Sequence, residues 1–155
     1  NRYNRSFSRG VLPAGLQELF LGDRFNQSFS HGVLPAGLKL LEIGNMYNQS
    51  FSRGVLPAGL SRLSLGRDYD QSFERGVLPA GLMVLALGRF YNQPIQAGVL
   101  PAGLALLILG EEFDHAFEPG VLPESLIRLY IGNADYSYEF TSENLPPNTA
   151  VIIGN

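Results

Sequence analysis

The chain has no cysteine and no tryptophan, and only two histidines among 155 residues. Without cysteine there are no disulfides, no thiolate metal sites and no cysteine nucleophile. The histidines, His31 and His115, lie far apart in the sequence, and they share neither a metal site nor a catalytic dyad. Charged residues make up 16% of the chain and the net charge is −3. That balance leaves no footprint for nucleic acid. No apolar run reaches the roughly 18–20 residues a membrane-spanning helix needs, so neither nucleic acid nor membrane is expected as a partner. No Ser-His-Asp set, phosphate loop or zinc-ligand spacing can be assembled. The chain is therefore expected to be no enzyme and to carry no cofactor. It opens on Asn1 with no initiator methionine, and Asn1 is expected to be a processed end or a boundary within a longer chain.

What the sequence has in abundance is repetition. "GVLP" recurs at Gly10, Gly32, Gly54, Gly76, Gly98 and Gly120, always 22 residues apart. All 18 glycines fall in three columns, headed by Gly10, Gly15 and Gly22. A residue type confined in this way serves the backbone, through positive φ or close approach of another chain segment. Ser125 takes the sixth place of the Gly15 column, so that column is expected to need small size more than positive φ. Between the corners runs "LxxLxLG", as in Leu16-Leu19-Leu21 and Leu38-Leu41-Ile43. Its last residues alternate in and out as a short strand does. A helix is excluded there because each block is preceded by Pro and followed by Gly, leaving too few residues for a stable one. Each unit also carries two large residues four positions apart, such as Phe25/Phe29 and Tyr47/Phe51.

One unit cannot stand alone. It buries about six large side chains worth roughly 1.5–3 kcal/mol each, against about 1–2 kcal/mol for every ordered residue. Stacked units share their apolar faces and pair strand to strand, about 4.8 Å apart. The expectation is an all-β solenoid of about seven coils with parallel strands along one side.

The unit "LxxLxLGxxFNQSFxxGVLPxGL" resembles a leucine-rich repeat. More narrowly it resembles the FNIP repeat, and "YNQPI" at Tyr91–Ile95 is the nearest match to that motif. The resemblance implies an arc with a parallel sheet on the concave side and extended or turn segments on the convex side. It also implies an interaction scaffold with no enzyme activity.

The chain is expected to be a single solenoid over 1–155, with regular coils over 1–132 and a degenerate last coil over 133–155. That coil, "NADYSYEFTSENLPPNT", gains one residue before Leu145 and carries Asp135, Glu139 and Glu143. Terminal repeats are commonly atypical, so it is expected to be a cap. The first coil, "NRYNRSFSRG", shows no polar cap and is expected to be a fragment edge or a contact surface.

Three clusters invite chemistry, and each has a simpler structural account. Glu111, Glu112, Asp114, His115 and Glu118 offer oxygens of the kind calcium takes, yet Arg89 stands one unit before Glu111 and a charge pair is expected instead. Asn4, Asn26 and Asn48 begin Asn-x-Ser acceptors for N-glycosylation. In register they are expected to form a hydrogen-bonded ladder, since Asp70 and Asp114 replace Asn while keeping an acceptor oxygen. The paired aromatics would suit a carbohydrate-stacking platform, but their recurrence in nearly every coil marks them as core.

The outward side of the strands is the surface that varies. Its columns are polar and mixed in the early coils and apolar later, where Met83, Val84, Ala86, Leu106, Ile108, Ile127 and Tyr130 form one patch, with Arg128 beside them. Exposed apolar patches mark partners, and Tyr and Arg are common anchors at interfaces. The sequence thus points to a non-catalytic protein-interaction module binding through its concave sheet, to a protein partner or to itself. The rival readings are a structural, self-assembling segment of a longer array and a carbohydrate-binding surface module.

Overall fold

The computed structural model describes residues 3–154; Asn1, Arg2 and Asn155 lie outside the described residues. Seven short strands follow one another: β1 (Glu18–Leu21), β2 (Leu40–Ile43), β3 (Arg62–Leu65), β4 (Val84–Ala86), β5 (Leu106–Leu109), β6 (Arg128–Ile131) and β7 (Ala150–Ile153). They form a single sheet in sequence order, with every pair parallel. The register never slips: Leu19 pairs with Leu41, Leu41 with Leu63, and so on to Val151. There is no helix among the described residues, and so none long and apolar enough to cross a membrane.

Strand alternation sorts the side chains. Leu41, Leu63, Leu107 and Leu129 point inward and are fully buried. Behind the sheet, at the turn before each strand, Leu38, Leu60, Leu82 and Leu104 are equally sealed. On the far side of each coil two aromatic files complete the core. Phe25, Tyr47, Tyr69, Tyr91 and Phe113 stack along the axis with centroids 6.1–6.3 Å apart. Phe7, Phe29 and Phe51 begin the second file, and Ile95 replaces the ring in the fourth coil, after β4. These rings are core, as their periodicity predicts.

The three glycine columns have three causes. Gly54, with φ of 76°, typifies the corner column, where a left-handed backbone is required. Gly88 typifies the column after the strands: its φ is not positive, but a Cβ there would lie 2.1 Å from the Gly66 carbonyl oxygen of the preceding coil. In the third column a Cβ at Gly103 would meet Ala80 O at 3.4 Å, an ordinary contact. Ser125 exploits that space, its hydroxyl donating to the Leu104 carbonyl at 2.7 Å.

The last coil bends the rule without breaking the sheet. Tyr136 stacks on Phe113, 23 residues earlier, whereas Ala150 pairs with Arg128 at the usual 22. The convex loop therefore holds an extra residue that is given back before β7. Polar side chains there bond locally: Asn144 Oδ1 accepts from the Thr141 N–H, and Asn144 Nδ2 donates to Glu139 O.

Candidate functional site

The outward columns of the sheet stand where strand alternation puts them. Val84, Ala86, Leu106, Ile108 and Tyr130 are half-buried by their neighbours on the concave side. Met83 and Ile127, immediately before β4 and β6, are 54% and 58% exposed, and Arg128 is exposed. Adjacent members of each column are paired across the sheet, Val84 with Leu106 and Ile108 with Tyr130. The eight residues therefore form one continuous surface over the fourth to sixth coils. The same outward column, as strand alternation predicts, carries Ile152, which extends the surface onto β7, and Phe20 on β1, both well exposed.

Between β2 and β5 this surface dips. A depression of about 220 Å³ is lined by Glu42, Arg62, Ser64, Val84, Ala86, Leu106 and Ile108. Its floor is low because Ser64 and Ala86 are small and adjacent in register. The sequence shows those residues but not the hollow, which depends on how larger neighbours in the same columns stand around them.

The rim where the chain leaves the strands is charged. Arg67 and Arg89 both lie 5.7 Å from the centre of the exposed Phe90 ring, a double cation–π contact that the sequence does not announce. Arg67 also bonds Asp68 at 2.8 Å. Arg89 reaches Glu111 at 2.9 Å, as its position one coil earlier predicts. Both pairs are solvent-exposed and contribute little to stability. Past Glu111 the rim is acidic: Glu112, Asp114 and Asp135 line an open cleft of about 620 Å³ together with Asn92 and Asn133. No group of side chains arranged to hold a metal ion exists among the described residues.

The Asn positions form the expected ladder. Asn26 Oδ1 accepts from the Asn48 N–H at 3.0 Å and from Gln49 Nε2 at 3.0 Å. Asn4, Asn48 and Asp70 make the same two bonds to the coils that follow them. A second ladder runs along the corner, where Arg9, His31 and Arg75 each reach forward to a carbonyl of the next coil at 2.6–2.8 Å. It leaves His31 engaged with the backbone. His115 Nε2 likewise bonds the Asn92 carbonyl.

Four buried phenols complete the inventory of titratable groups. Burial raises the pKa of Tyr47, Tyr69 and Tyr91 well above the usual phenol value and pushes Tyr136 up to about 12. Tyr136 donates its hydroxyl to His115 O at 3.0 Å. Among the described residues the buried hydroxyls of Tyr47 and Tyr69 have no hydrogen-bond partner.

Comparison with known proteins agrees with this geometry. The model of the FNIP Repeat family matches residues 3–46, 47–90, 91–134 and 113–153. Among solved structures the chain superposes on CroV588, described as a novel circular LRR protein, with a TM-score of 0.94 and 36% identity. The match covers 99% of this chain and 22% of that one, so this chain spans under a quarter of its length. None of the curated proteins compared matches the chain.

Proposed function

The chain belongs to the FNIP repeat family, and from that premise we propose that it is a non-catalytic protein-binding module whose concave sheet is the contact surface. One observation carries this reading. The inward columns hardly change from coil to coil, while the outward columns run from Glu18, Arg62 and Glu42 to Leu106, Ile108 and Tyr130. Stability constrains the first set. The second is free to be specified, and its apolar end joins large side chains over several strands, the signature of a partner surface. The carbohydrate reading loses its platform, since the two aromatic files are buried. The asparagine ladder serves the fold whether or not Asn4, Asn26 and Asn48 also carry glycans.

A photo-crosslinking residue at Ile108 tests the reading against the same residue at Ala116, exposed on the convex side. In extract from the native source, adducts are expected at Ile108 and are lost when Leu106→Glu is added. Equal adducts at both positions would refute it. A second reading, an arc within a longer array, is favoured by the 22% share of the circular protein that this chain matches. It predicts concentration-dependent mass in light scattering.

A further inference from the structure

We infer that the segment docking on the concave face is an extended stretch of a protein partner in which apolar side chains alternate with lysine or arginine. This rests on the concave-face reading and adds the chemistry of the partner. Charge is sorted along the solenoid. Residues 1–110 carry ten Lys and Arg against six Asp and Glu, whereas residues 111–155 carry Arg128 alone against eight carboxylates. The apolar patch straddles that boundary: Met83 to Ile108 precede it and Ile127 and Tyr130 follow it, so its last coils lie beside the acidic end.

The two features are joined by the backbone. Ile108 faces outward on β5, and Glu111 and Glu112 follow directly after Gly110. One coil on, Asp135 holds the same rim beyond Tyr130, and Asp114 faces the same cleft. Arg89 offsets Glu111. No ion pair offsets Glu112, Asp114 or Asp135 among the described residues. An apolar strip with unpaired carboxylates along one margin is complementary to a segment that is apolar below and cationic at its side.

Size and spacing narrow the occupant. The depression beside Ser64 and Ala86, about 220 Å³, falls short of the roughly 300–1,000 Å³ of small-molecule sites. It suits a single apolar side chain. An extended chain repeats its downward side chains every two residues, about 6.6–6.8 Å, and turns the intervening ones to its opposite face, from which long lysine or arginine side chains bend over to the margin. Arg128, the one cation of this end, stands on the face itself and is outnumbered.

The test uses short labelled peptides of alternating leucine and lysine, leucine and glutamate, and serine and lysine, read by fluorescence anisotropy. The leucine–lysine peptide should bind at least about tenfold tighter than the leucine–glutamate one, and added salt should shrink that margin. Glu112→Lys combined with Asp135→Lys should reverse the preference, and Ile108→Arg should remove binding of both. All three positions are outside the core, and circular dichroism checks that the variants remain folded. If the leucine peptides bind equally and both are lost in Ile108→Arg, the face binds but its charge preference is refuted. Serine–lysine binding as tightly as leucine–lysine, or no peptide binding at all, also overturns the inference.

Discussion

Replacing Asn26 by alanine removes the acceptor that ties one coil to the next. Its Oδ1 takes a backbone N–H from Asn48 and a side-chain amide from Gln49, both at 3.0 Å. Truncation leaves two donors without a protein partner, at about 1–3 kcal/mol each where burial is complete. Both bonds are only part-buried, so water recovers some of the loss and the lower end applies, about 2 kcal/mol in all. In a chain of this size about 1 kcal/mol moves Tm by roughly 2–4 °C. Scanning calorimetry should therefore record a fall of about 4–8 °C. Asn26→Asp keeps the acceptor and discards the amide, as Asp70 does at the same step of the ladder. That variant should stay within about 0.5 kcal/mol of the parent in urea titration. Equal losses for alanine and aspartate, or an alanine variant as stable as the parent, would refute the ladder as a source of stability.

Three further outcomes follow from the same geometry. Gly88→Ala should destabilise strongly, because its Cβ has no room beside Gly66 O, while Gly103→Ala should be nearly neutral in the same urea titration. Leu107→Ala should cost about 2–5 kcal/mol as a buried truncation, whereas Leu106→Glu, its outward neighbour, should leave the unfolding midpoint almost unchanged; the reverse order would invert the facing of the sheet. The buried phenols have pKa values raised above the unfolded value of about 10, so their contribution is complete below that pH and is lost as pH rises through the folded values. Stability should fall from about pH 10 upward, with the phenolate absorbance of these four tyrosines emerging only as the chain unfolds.

Much of this architecture is legible in the residues because every unit repeats the same instruction. Leu41 and Leu63 are core for the reason Leu107 is, and seven glycines in one file cannot all be incidental. The Arg89–Glu111 pair and the asparagine ladder are readable by counting one unit along the chain. What resists is whatever depends on the distance between coils. The Gly54 and Gly88 columns look alike in sequence, yet one answers to φ and the other to a neighbouring carbonyl. The double contact of Phe90 with two arginines depends on rotamers, and the hollow beside Ala86 on the relative heights of side chains from separate strands.

The residue that the last coil gains and then returns has a wider meaning. The strands tolerate no change of phase, since a single step would turn Leu129 or Val151 outward. The bends on the convex side absorb it. Such a molecule is forgiving of small insertions in its outer bends and of duplications or deletions of whole units, and intolerant of anything between. Unequal recombination between near-identical units would lengthen or shorten the arc one rung at a time, leaving the join between any two rungs unchanged.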